Sequence, residues 1–152
     1  MDVPADTHHV SAGACKVLLV EDNPDVAEVT IELLAHMGCE TEKVGDAGAA
    51  LEAVEAGEFD LMLSDIVMAG MMNGLDLART VRKKHPDLLI VLATGYSEAA
   101  GQAAAEFPVL RKPYNVADLD QAIFDARRRQ AGRQRKVVDF QTTKRERAVR
   151  GK

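Results

Sequence analysis

No apolar run in this 152-residue sequence approaches the roughly 20 residues that a membrane-spanning helix needs. The first 14 residues carry acids and histidines, with neither a basic start nor an apolar stretch, so they read as a flexible leader rather than a signal peptide. The expected location is therefore cytoplasmic. Cysteine occurs only twice, at Cys15 and Cys39, with no CxxC and no partners at metal-ligand spacing. Each stands just before a predicted strand, so the two could be neighbours in space; in a reducing compartment two free thiols are expected. Neither GxGxxG nor GxxxxGK[ST] occurs, which argues against a nucleotide-binding loop. No internal repeat or low-complexity segment is present.

What remains suits one globular domain with a real core: 47% of the residues are hydrophobic. The charge is unevenly placed. Residues 1–126 hold 22 acidic and 8 basic side chains, a net of −14, whereas residues 127–152 hold 2 acidic and 11 basic, a net of +9. The expected organisation is a leader at 1–14, a folded body at 15–129 and a basic, disordered tail at 130–152.

Residues 16–21 form a continuous apolar run rich in β-branched side chains, the pattern of a strand covered on both faces. Asn23 and Pro24 then supply a cap and a first-turn proline. Val26, Val29, Leu33 and Met37 recur at helical spacing as the predicted inner face, and Gly38 stops the helix. Strands are predicted at 41–44, 61–64, 88–93 and 109–110. Helices are predicted from the Asp46 cap to 56, at 75–84, at 97–106, and after the Asn115 cap, with Val116, Leu119, Ile123 and Ala126 facing inward. Five repeats of strand then helix give an α/β fold, a doubly wound five-stranded parallel sheet with helices on both faces.

Such sheets bind ligands at the carboxyl ends of their strands. Four of the five predicted strands reach that edge with a polar group: Glu21 and Asp22, then Asp65, Thr94 and Lys112. An unpaired carboxylate at the mouth of a core strand costs desolvation energy. Two like charges about 4 Å apart repel by about 4 kcal/mol near a protein surface. Three carboxylates therefore favour a cation, and an all-oxygen donor set with room for water and phosphate suits Mg2+. A carboxylate beside a metal and a lysine can attack phosphorus and form an aspartyl phosphate.

With those residues in place, the region 16–129 resembles the receiver domain of two-component response regulators. The motifs are Val-Glu21-Asp22-Asn23, Ser64-Asp65-Ile-Val-Met68, Ala93-Thr94-Gly95 and Arg111-Lys112-Pro113. Each is weak alone; together, in order and at strand ends, they are specific. The resemblance implies a flavodoxin-like strand order 2-1-3-4-5, with Asp65 as phosphoacceptor and Mg2+ held by Asp22, Asp65 and the Val67 carbonyl, Glu21 assisting. It implies that Thr94 and Lys112 bind the phosphoryl group, and that the Lys112–Pro113 peptide is cis. The loop after Met68 departs from the plainest receivers, with Ala69 in place of proline and Met71-Met72-Asn73-Gly74 one residue longer. That loop and Ala-Thr-Gly-Tyr96 look like receivers associated with hybrid histidine kinases. Val109 stands where many receivers carry an aromatic, so an aromatic-swing switch is not expected, although Tyr96 could take a related part.

The implied function is a single-domain response regulator in a phosphorelay, receiving phosphate from a histidine kinase or histidine phosphotransfer protein and acting through protein contact or onward relay. Its downstream partner is not named by the sequence. It would catalyse only its own phosphorylation and dephosphorylation, the latter slowly, because the Val67 side chain cannot orient water. Blander readings exist: Thr94 back-bonding in a turn, the methionines as loop packing and His36 as a helix-end dipole partner. The rival functions are a pseudo-receiver that binds without phosphorylation and an aspartyl-phosphate hydrolase, which lacks its Asp-x-Asp here. No membrane partner is expected, a homodimer is allowed, and the basic tail would contact nucleic acid non-specifically at most.

Overall fold

The computed structural model describes residues 15–68 and 72–150. The leader expected at 1–14, together with Ala69 and Met71, falls outside the described residues. Strands and helices alternate: β1 (Cys15–Val20), α1 (Pro24–His36), β2 (Cys39–Val44), α2 (Ala47–Ala56), β3 (Leu61–Asp65), α3 (Gly74–Lys84), β4 (Leu89–Thr94), α4 (Ser97–Ala103), β5 (Val109–Arg111) and α5 (Val116–Arg150). All strand pairs are parallel, and the sheet order is β2-β1-β3-β4-β5. The order reverses at β1 and β3, and β1 and β3 are the strands that deliver the carboxylates.

Alternation along the strands divides the core in two. Leu18, Val20, Met62, Ile90 and Leu92 point to the face covered by α2, α3 and α4. Val17, Leu19, Leu61, Leu63, Val91 and Ala93 point to the face covered by α1 and α5. Each of the fully buried leucines is worth about 1.5–3 kcal/mol in transfer free energy. Helix starts follow local chemistry. The Asn23 side chain accepts hydrogen bonds from the amides of Asp25 and Val26, Asp46 caps α2 and Asn73 caps α3. Asn115 and Asp118 cap α5 reciprocally, at 2.8 and 3.1 Å. Gly38 ends the turn after α1 with φ of +84°, a conformation that a Cβ disfavours.

Three expectations change. The buried residues of α1 are Ala27, Thr30 and Leu34, with Leu33 and Met37 packed partly buried against the same core, while Val29 is 57% exposed; Val26, Val29 and Leu33 line a surface groove. Helix α4 ends at Ala103, three residues short of the prediction. Helix α5 continues as one helix to Arg150, across the segment from 130 expected as a disordered or fraying extension of the last helix. Its last 24 residues hold no proline and are rich in Arg, Lys, Gln and Ala, all good helix formers. Among the described residues no helix is long and apolar enough to cross a membrane.

Candidate functional site at the carboxyl edge of the sheet

β1 and β3 lie side by side, with Val20 in register with Ser64, so the residues that follow them emerge together. Glu21, Asp22 and Asp65 each offer a carboxylate oxygen within 4.8 Å of the others. Glu21 and Asp65 are buried and Asp22 is exposed. Lys112 reaches in from the β5–α5 loop: its Nζ lies 3.0 Å from Glu21 Oε1 and 2.5 Å from Asp65 Oδ1. The Lys112–Pro113 peptide is cis.

These contacts set the protonation of the site. Burial pushes the Asp65 carboxyl up, the Lys112 hydrogen bond pulls it down, and neighbouring Glu21 raises it again, leaving it at about 7. For Lys112, burial disfavours the ammonium, but hydrogen bonds and charge from Asp65 and Glu21 outweigh that and raise it. One ammonium is shared by two buried carboxylates, Glu21 and Asp65. The excess negative charge and the all-oxygen donor set fit a hard divalent cation.

Supporting contacts hold the acids in place. The amide of Asn23 donates to Glu21 Oε2 at 3.1 Å. The buried Ser64 hydroxyl donates to the Asp65 carbonyl at 2.9 Å. Gly74 donates its N–H to the Ile66 carbonyl at 2.7 Å, and a Cβ added there would lie 1.8 Å from the Asp65 carbonyl oxygen. Only glycine fits that approach. The sequence reading passed over Asn23, Ser64 and Gly74 as site residues; the signal was their adjacency to the acids and the helix start.

Thr94, at the end of β4, is 2% exposed, and its hydroxyl oxygen accepts from the Tyr96 amide at 3.0 Å. That is the turn bond of the blander reading, and it leaves the hydroxyl proton for another acceptor. Val67, just past Asp65, has a half-exposed side chain. Tyr96 is 65% exposed, and Val109 packs partly buried against the core beside β4. Beside Lys112 opens a mostly apolar groove of about 480 Å³, lined by Val26, Val29, Leu33, Pro113 and Tyr114. The Tyr114 hydroxyl is 3.1 Å from that of Thr30 on α1.

The family model for the response regulator receiver domain matches residues 17–124. The chain is similar to the response regulator receiver protein CpdR of Brucella abortus, 32% identical over 108 residues, covering 68% of this chain and 89% of that protein. It is 36% identical over 114 residues to the sensor kinase CckA of the same organism, covering 71% of this chain but only 12% of the kinase. Among solved structures, the response regulator protein TrrA of Thermotoga maritima, in complex with Mg2+–BeF, superimposes with a TM-score of 0.64 at 29% identity, covering 74% of this chain and 98% of that one. The chain belongs to the response regulator receiver domain family, the phosphoacceptor side of two-component signalling.

Proposed function

We propose that Asp65 accepts a phosphoryl group from a phosphohistidine on a histidine kinase or histidine phosphotransfer protein. A carboxylate oxygen of Asp65 attacks phosphorus, the P–N bond breaks, and the nitrogen leaves with the electron pair. The observation that carries this reading is the meeting of Glu21, Asp22 and Asp65 under Lys112 at one sheet edge. Asp22, Asp65 and the Val67 carbonyl would hold Mg2+, with Glu21 assisting; the ion would offset charge on the transferring oxygens. Lys112 would stay with the phosphoryl group as ion-pair partner. Thr94 would turn its hydroxyl proton to a phosphoryl oxygen while still accepting from the Tyr96 amide, so that exposed Tyr96 moves with it in place of the absent aromatic at 109.

The apolar groove beside Lys112 supports docking of the donor protein there. The match along most of CpdR supports action as a response regulator, by protein contact or onward relay. Beyond its own phosphorylation and slow dephosphorylation, no catalysis is proposed. The test is incubation with acetyl phosphate and Mg2+ followed by intact mass, with D65N alongside. One phosphoryl group gained, and lost in D65N and on removal of magnesium, is the expected result. No uptake from acetyl phosphate, phosphoramidate or a cognate kinase would leave the pseudo-receiver reading, and turnover of a small phosphate ester would mark a hydrolase.

A further inference from the structure

The opposite end of β1 carries a second reactive pair. Cys15 is the first residue of β1, Cys39 the first residue of β2, and the two are direct partners in the parallel register. Neighbouring strands run about 4.8 Å apart, inside the roughly 4.4–6.8 Å separation of Cα atoms that a disulfide spans. The two sulfurs approach to 2.7 Å and share one hydrogen bond. Both side chains are almost wholly buried, at 7% exposure, and they are the only cysteines in the chain, so neither has a competing intramolecular partner.

We propose that Cys15 and Cys39 are a redox-active dithiol that closes to an intramolecular disulfide under hydrogen peroxide. The Cys39 sulfur attacks the peroxide oxygen, the O–O bond breaks and water leaves, giving a sulfenic acid. The Cys15 sulfur then attacks that sulfur and displaces a second water. The two thiols lose two electrons and two protons; the peroxide takes both. Cys39 is the better attacking group. Its hydrogen bond with the Cys15 sulfur lowers its thiol against the opposing effect of burial, with Arg127 helping. Cys15 is held protonated by the same bond, by burial and by the charge of Cys39. Susceptibility falls with burial, so the pair is expected to react slowly with bulky reagents. The site lies at the far end of β1 from Glu21, so the inference does not depend on the reading of the carboxylate cluster.

The full chain would be treated with hydrogen peroxide, then unfolded in iodoacetamide and weighed. The expected product is a monomer that has lost two hydrogens, takes up no alkyl group, and recovers two alkylation sites after dithiothreitol. Its melting temperature should exceed that of the reduced chain by about 5 °C or more, since the bond closes a long loop in the unfolded state. In C15S and C39S the remaining thiol should still be alkylated after peroxide, or end as an oxygen adduct or an intermolecular dimer. The wild-type result stands even where a serine variant folds poorly. Two alkyl groups on peroxide-treated wild type, oxygen adducts without loss of hydrogens, or disulfide-linked dimers would each overturn the proposal.

Discussion

The two ends of one sheet are built on opposite electrostatic terms. At the carboxyl end, Glu21 and Asp65 are buried beside Asp22 and answered by Lys112. At the amino end, Cys15 and Cys39 meet as a compact sulfur pair, and the nearby Lys16 ammonium rests 5.2 Å from the Phe59 ring centre. The same strand, β1, reaches both. The difference teaches where the fold gathers like charge: at the edge where strand order reverses, and where a cation can complete the balance.

Four changes would break or sharpen that contrast. The largest effect is expected from Gly74→Val, which forces side-chain atoms onto the Asp65 carbonyl. Denaturant unfolding should show a loss of about 3 kcal/mol or more, accompanied by loss of Mg2+ affinity; a loss below about 1 kcal/mol would mean the loop yields freely. Next, Lys112→Met takes the ammonium away from Glu21 and Asp65. The cost should be about 2 kcal/mol at pH 8, less than for a fully buried pair because Lys112 is partly exposed. It should shrink at pH 6, where Asp65 holds a proton, and shrink on adding Mg2+; equal costs at both pH values would contradict the ionised cluster.

Proton and metal should compete for Asp65 in the unmodified protein. The folded carboxyl titrates near 7, so Mg2+ affinity should be full above that value and fall by up to about tenfold per unit below it. Calorimetric titration at pH 8 and pH 6 checks this, and a flat profile would contradict it. The smallest effect belongs to the other end. Lys16→Met should cost about 0.5–1 kcal/mol, with no dependence on Mg2+ or on pH between 6 and 8. A clear response of Lys16→Met to either would erase the contrast between the ends.

Strand runs, caps and strand-end acids were legible in the sequence because each depends on near neighbours: Asn23, Asp46 and Asn115 cap the helices they precede. Residues distant in sequence were harder. The face of α1 was read one residue off because Val29 is apolar yet borders a groove, while Thr30 is polar yet buried against Tyr114, 84 positions away. The hold of Ser64 on the Asp65 carbonyl and the tight seat of Gly74 are backbone geometry, which composition does not carry. The last helix was cut short in reading because its charge changes sign near 127. Helix formation answers to side-chain propensity and the absence of proline, not to net charge alone.

The seat of Gly74 has a mechanical meaning. Its amide is tied to the Ile66 carbonyl at 2.7 Å, and its α-carbon leaves no gap against the Asp65 backbone. The end of β3 and the first turn of α3 are thus joined without slack. A displacement of the Asp65 backbone would press on the first turn of α3.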